Sequence, residues 1–356
     1  MAEKEGFEPP DLLQSTVFKT AAIDRSAISP RAKLAFESVP PNKKIKKNLK
    51  TFYDLAVVKR NIVVNVLLMC LMTSLLFAQK NIESSEKTHS KHPFLATNSV
   101  IGVVYVGSMT ALYQSWYRDY AFKRFHFFND MPEWKGIDKL GHATTSWWAA
   151  QWLYTSQLSL GLESENLALR STIIPLCFMT TIEVFDGFSS GWGFSLGDMA
   201  ANIAGAGLFY TQQHFFNQQR ILLKYSYHQT YFAEQRPDLL GKSKVERMLK
   251  DYNGQTYWLT IPIKRNGWFC LSMGYNASGM LGGSDNIWTN QGVLHDFSSV
   301  ERFSTLSMSF DIDLLKLPIK GKFWKTFAST FRWIKIPAPT IQWSKSNNFK
   351  LLPYYY

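Results

Sequence analysis

"FSTLSMSFDIDLL", residues 303–315, alternates without a break: Leu306, Met308, Phe310 and Ile312 fall on one side, and Ser307, Ser309, Asp311 and Asp313 on the other. A period of two means extended chain, because successive side chains of a strand point to opposite faces. The pattern predicts a strand with one apolar face for a core and one wet face. On its N-terminal side, "TYWLTIPI" (256–263) and "GWFCLSMGYNA" (267–277) read as further strands, with Gly-rich "GMLGG" (279–283) as a turn. On its C-terminal side, "GKFWKTFASTFRW" (321–333) reads as a short basic amphipathic helix. Beyond it "IKIPAPTIQW" (334–343) is extended, since its prolines forbid a helix, and the chain finishes in "LLPYYY". About five strands are too few to close an outer-membrane barrel. The C-terminal part is therefore expected to be a small antiparallel sheet, appended to helices and resting on a membrane.

Upstream the rhythm is helical. "TNSVIGVVYVGSMTALYQSWYRDY" (97–120) predicts a helix capped by Asn98 or Ser99. Three more are expected at about 138–160, 170–186 and 196–216. Each has fewer than about 20 continuous apolar residues, which favours a buried bundle or shallow insertion, with four membrane spans as the alternative. The fold class is α+β: a bundle of about four helices, then a β-rich part.

The chain of 356 residues carries a net charge of +12 and 15% aromatic residues. Residues 1–79 hold 12 Lys/Arg against 7 Asp/Glu, which leaves a spread-out +7 for the remainder. No nucleic-acid motif accompanies that charge, so the expected partners are membrane lipid or another envelope protein, with no nucleic acid. A mean hydropathy of -0.15 argues against a chain made mostly of spans.

The apolar run "NIVVNVLLMCLMTSLLFAQ" (61–79) follows Lys59 and Arg60 and ends in a small residue before a polar break. Those are the parts of a signal peptide, and the Phe-Ala-Gln ending resembles Bacteroidetes signal peptides. An uncleaved anchor is the alternative, and Met69 before Cys70 shows no lipoprotein cleavage box. The expected organisation is a non-native or disordered extension at 1–57, a signal peptide or anchor at 58–79 and a linker at 80–96. A helical domain at 97–235 and a β-rich region at 236–356 follow. Export would leave Cys177 and Cys270 in an oxidising compartment, either paired or as inert buried thiols.

Three successive helices each bring a polar pair. Asp138 and His142 are four apart and share a face, with Lys139 beside them. Glu183 and Asp186 are three apart, and Asp198 and Asn202 four apart, followed by Gly205 and Gly207, which permit close helix approach. Ser195 is placed to cap the last helix, with Asp198 in its first turn. His142, Glu183, Asp186 and Asp198 offer one nitrogen and several oxygens, a set that suits a divalent metal such as zinc, manganese or iron. One histidine is thin for zinc and no His-Glu-x-x-His motif is present, so the same groups also read as a clasp that fixes helix register, with Lys139 neutralising a carboxylate. His126, His214 and His228 lack paired ligands. Trp147, Trp148 and Trp152 suit either an exposed partner surface or a core. Ser195 in "GFSLG" is not a nucleophile elbow, and no phosphate loop or dinucleotide fingerprint occurs. The balance leans away from an enzyme.

"FHFFNDMPEWKGIDKLGH" (125–142) followed by "EVFDGFSSGWGFSLGDMAANIAG" (183–205) resembles the YfiM-like lipoproteins of the bacterial envelope, domain of unknown function 2279. The resemblance covers about residues 110–215. "DYNGQTYWL", "LSMSFDIDL" and "IKIPAPTI" are similar to the longer Bacteroidetes members. The resemblance implies a periplasm-facing or outer-membrane-associated protein and carries no activity with it. A weaker resemblance to VanZ-like membrane proteins rests on Asp138-Lys139-His142, Glu183 and Asp198-Asn202-Gly205, and implies one polar cluster and an integral inner-membrane location.

Overall fold

The computed structural model describes residues 91–356 apart from 118–119, 160–161, 163, 291, 346–347 and 356. The readings for 1–57, for the apolar run at 58–79 and for residues 80–90 lie outside the described residues. The chain divides into Val66–Trp288 with Asp296–Tyr356, and Met1–Asn65 with Thr289–His295. The helices and the large sheet belong to the first of these units, and the tip of one hairpin to the second.

Four long helices come first: α1 Lys91–Leu112, α2 Ile137–Ser159, α3 Leu167–Phe188 and α4 Leu196–Phe216. α1 starts seven residues before the expected Asn98 cap. Pro93 lies in its first turn, where a missing N–H removes no intrahelical bond. The other three fall where the apolar periodicity puts them. α3 is the one described helix long and apolar enough to cross a membrane by length and composition.

α2 and α4 meet backbone to backbone: a β-carbon on Gly205 would lie 1.9 Å from the Ala143 carbonyl oxygen. Gly207 faces open space, so only the first of the two glycines serves the close approach. Trp147, Ala150, Phe209 and Leu222 form the core that joins α2 and α4 to the first strand. Trp147 is fully buried and donates its indole N–H to Gln219 Oε1 at 3.1 Å. Trp148 is half-buried, stacked on Trp152 and against Trp333. Trp147 is thus core, while Trp148 and Trp152 stay half-buried, with Trp148 against Trp333.

The sheet is antiparallel, in the order β1 (Leu222–Tyr227), β2 (Gln255–Pro262), β3 (Phe269–Ser278), β6 (Phe303–Ile312), β7 (Ala338–Ser344) and β8 (Asn348–Tyr355). Short strands β4 (Ile287–Asn290) and β5 (Val293–Asp296) make a separate hairpin. Short helices α5 (Phe232–Gln235), α6 (Pro237–Leu240) and α7 (Lys244–Lys250) fill the β1–β2 connection, and α8 (Lys322–Phe331) separates β6 from β7. The sheet curls. Tyr355 of β8 reaches the Thr256 hydroxyl of β2 at 3.0 Å, and the outer edge of β1 is bonded by Trp333 and Lys335 through the backbone of Tyr225.

This curl overturns the expected polarity of β6. Ser307, Ser309 and Asp311 are buried on the concave side, while Leu306 is 50%, Met308 50% and Phe310 48% exposed on the convex side. Register extends the inversion from β2 to β8, while on β1 Leu222 is buried and Leu223 packs against the helical core. Leu259, Met273, Met308, Ile341 and Leu351 form one convex row, and their concave neighbours include Lys224, Thr260, Ser272, Ser309 and Thr340. Inside, Lys224 Nζ lies 2.9 Å from Asp311 Oδ2 with both side chains sealed from solvent. Arg332 pairs with Asp313 through two bonds of 2.9 and 2.6 Å. A concave wall of hydroxyls satisfied by such pairs leaves the apolar set only the outside.

A strained turn joins sheet and helices. Trp134, Lys135 and Gly136 have φ of 49°, 51° and 75°, a left-handed run that costs on the order of 1–3 kcal/mol for each non-glycine residue. The Tyr275 hydroxyl donates to the Lys135 carbonyl at 2.8 Å, and Trp134 N–H donates to Gly283 O at 2.8 Å. Those bonds hold the first turn of α2, and with it Asp138 and Lys139, against β3. Cys177 and Cys270 are free thiols.

Candidate functional site

The three polar pairs converge except for Asp186. Lys139, one turn into α2, is the hub: its Nζ lies 2.7 Å from Asp130 Oδ1, 2.8 Å from Asp138 Oδ2 and 2.8 Å from Asp198 Oδ1. An ammonium has three protons, so these three carboxylates use all of them. Lys139, expected to neutralise one carboxylate, meets three. Asp130 lies in the loop before α2 and receives the Ser195 hydroxyl at 2.5 Å, while Ser195 caps α4 by accepting from Asp198 N–H at 3.0 Å.

His142 stands one turn further along α2. Its Nδ1 is 3.2 Å from Asn202 Oδ1 and 3.3 Å from Glu183 Oε1, and its Nε2 is 3.8 Å from Asp198 Oδ1. Asn202 Oδ1 also accepts from the Ser146 hydroxyl at 3.1 Å. Glu183, on α3, is fully buried, and neither carboxyl oxygen has a well-formed hydrogen bond. His142 keeps 22% of its side chain exposed, which leaves the cluster one open edge.

Asp186 stands apart from this arrangement. Its Oδ1 accepts the Tyr117 hydroxyl at 2.8 Å, so the helical spacing that pairs it with Glu183 on α3 sends it to a different partner. One ligand atom each from His142, Glu183 and Asp198 fall within 4.8 Å of one another, and likewise for Asp130, Asp138 and Asp198. Asp130, Tyr117 and Ser146 are site residues that no sequence pattern marks. Asp130 sits in irregular chain, where no periodicity identifies a facing residue.

The electrostatics follow from burial with one lysine among many carboxylates. Burial, reinforced by Asp198, Asp186 and Asp130, pushes Glu183 up to about 9. Burial and the bond to Asp130 push Asp198 up to about 7, against Lys139. Burial alone would raise Asp130 too, yet bonds from Asp198, Lys139 and Ser195 hold it below the usual carboxylate value. The interaction between the two carboxyls lowers Asp130 and raises Asp198. Burial also pushes Asp186 up to about 7, although the Tyr117 bond opposes it, and holds His142 down to about 4. At neutral pH the imidazole is uncharged and offers a lone pair.

Residues 126–214 match the family described as a predicted periplasmic lipoprotein, domain of unknown function 2279. That segment runs from His126 to His214 in the last turn of α4 and contains every residue of the cluster except Tyr117. No curated protein and no solved structure matches the chain. The match is consistent with a cell-envelope location facing the periplasm.

Proposed function

We propose that this envelope protein is a membrane-seated binding or scaffold protein, held in one leaflet by the convex face of its sheet. The observation that carries the reading is the inverted polarity. A sheet that seals Lys224 and Asp311 inside while exposing Met273, Met308, Ile341 and Leu351 to the outside is dressed for an apolar solvent. The five strands from β2 to β8, about 4.8 Å apart, make a face about 19 Å wide, and the rows from Leu306 to Phe310 span about 13 Å along the strand. That height is about half of a hydrocarbon core, so the face suits one leaflet.

The surroundings fit the same solvent boundary. Exposed Lys264 and Arg265 at the β2–β3 turn adjoin Trp268 and Phe269, the pairing of cations and amphipathic rings that favours the headgroup level. In α8, Phe323, Phe327 and Phe331 recur every four residues as an exposed stripe, with Lys320 and Lys325 exposed nearby. The helical unit and its polar cluster are then carried at the leaflet surface.

A lipid-restricted photoactivated carbene reagent tests this on the full chain in phosphatidylethanolamine–phosphatidylglycerol vesicles, read by peptide mass spectrometry. Labelling concentrated at Met273, Met308, Phe310 and Ile341, and absent from Ser272 and Ser309, is expected. Labelling confined to the α helices, or protection of the convex face by a co-purifying protein, would overturn the lipid seat.

A further inference from the structure

We propose that His142, Glu183 and Asp198 form a binding site for a divalent transition-metal ion, open at the His142 edge. Three helices each contribute one ligand, and the three donor atoms lie within 4.8 Å of one another, as ligands around a single ion must. The independent observation is Glu183. Its side chain is 1% exposed, and the donors nearest its carboxyl oxygens, the Ser195 backbone and His142 Nδ1 at 3.3 Å, make no well-formed hydrogen bond to it. A carboxylate buried that far is normally met by two or more donors.

Nothing nearby supplies the missing positive charge. Lys139 spends its three protons on Asp130, Asp138 and Asp198, and Asp186 turns to Tyr117. Glu183 is left facing the His142 ring and the Asp198 carboxyl. A cation at this point supplies what Lys139 does not reach.

The neighbours are arranged as a supporting layer. When Nδ1–H of His142 donates to Asn202 Oδ1, the Nε2 lone pair is free on the side of Asp198, and Ser146 holds Asn202 in place through the same oxygen. One nitrogen and two carboxylates suit zinc, manganese or ferrous iron above calcium or magnesium, which take oxygen ligands. Three protein ligands leave a position for water or an anionic ligand at the exposed edge of His142. This site stands whether or not the sheet meets lipid.

Metal content of the full chain, purified in detergent without chelator and then titrated with zinc and with manganese, tests the inference beside Glu183→Gln, His142→Ala and Asp186→Asn. Glu183→Gln keeps the shape of the side chain and removes its charge, so the apo melting temperature shows whether it folds. About one ion per chain is expected for the wild type and for Asp186→Asn, with affinity at least about tenfold weaker in the other two variants. A wild type that takes up neither ion, or a Glu183→Gln protein that binds as tightly as the wild type, would overturn it. So would an Asp186→Asn protein that loses as much affinity as Glu183→Gln, since that marks nonspecific binding to an acidic region.

Discussion

Truncating Asp311 to Ala separates an inverted sheet from an ordinary amphipathic one. Asp311 lies wholly inside, 2.9 Å from Lys224 Nζ, and its other oxygen accepts from the backbone N–H groups of Ile312 at 2.7 Å and Ile336 at 3.2 Å. Lys224 Nζ has one further bond, to the Ile312 carbonyl at 2.8 Å. Removing the carboxylate strands a sealed ammonium and orphans backbone donors, a loss of about 3–5 kcal/mol. Met308→Ser, one turn of the alternation away on the convex side, is expected to cost within about 0.5 kcal/mol in detergent, as at an exposed site. Urea unfolding in a mild detergent, followed by far-ultraviolet circular dichroism, measures both. The double variant Lys224→Met with Asp311→Leu is expected to recover most of the loss, because it removes both charges together. A cost below about 1 kcal/mol for Asp311→Ala, or one of about 2–5 kcal/mol for Met308→Ser as in a packed core, would refute the reasoning.

Lys139→Met removes the ammonium shared by Asp130, Asp138 and Asp198, and is expected to destabilise the helices by about 3–5 kcal/mol; a melting temperature within error of the wild type would contradict the hub. Gly205→Val forces a side chain into the Ala143 carbonyl and is expected to drive α2 and α4 apart, whereas Gly207→Ala is expected to be tolerated; equal thermal shifts for the two would contradict the packing. Asp186 gives a pH dependence. Its folded value of about 7 lies above its ordinary 3.8, so it contributes stability that is full below about pH 4 and fades as pH rises through about 7. Asp186→Asn is therefore expected to flatten the fall in melting temperature between those limits, and an unchanged slope would contradict it.

Much of the architecture was legible in periodicity. α2, α3, α4, strands β2, β3, β6, β7 and β8 and the amphipathic α8 fall within a few residues of where the apolar spacing puts them, because burial repeats at 3.6 or 2 whatever the tertiary context, whereas β1, inside the expected helical domain, and the short β4 and β5 carry no such signal. The direction of the β6 faces was not legible. An alternating strand states that its two faces differ, and only the curl of six strands decides which one is enclosed. The site divides in the same way. Lys139, His142, Glu183, Asp198 and Asn202 meet as their helical spacing allows, while Asp186, on the same helix as Glu183, is taken by Tyr117. Asp130 and the strained Trp134–Lys135 turn lie in irregular chain, where contact partners depend on distant residues such as Tyr275.

The most direct test of the lipid seat is a nitroxide scan of β6 in the full chain, with Cys70, Cys177 and Cys270 replaced by Ser and labels placed singly from Leu306 to Phe310 in reconstituted vesicles. The expected result is a period of two: high oxygen and low aqueous-nickel accessibility at 306, 308 and 310, with both low at 307 and 309. High nickel accessibility at 306, 308 and 310 would mean that the convex face stands in water, and would contradict the account.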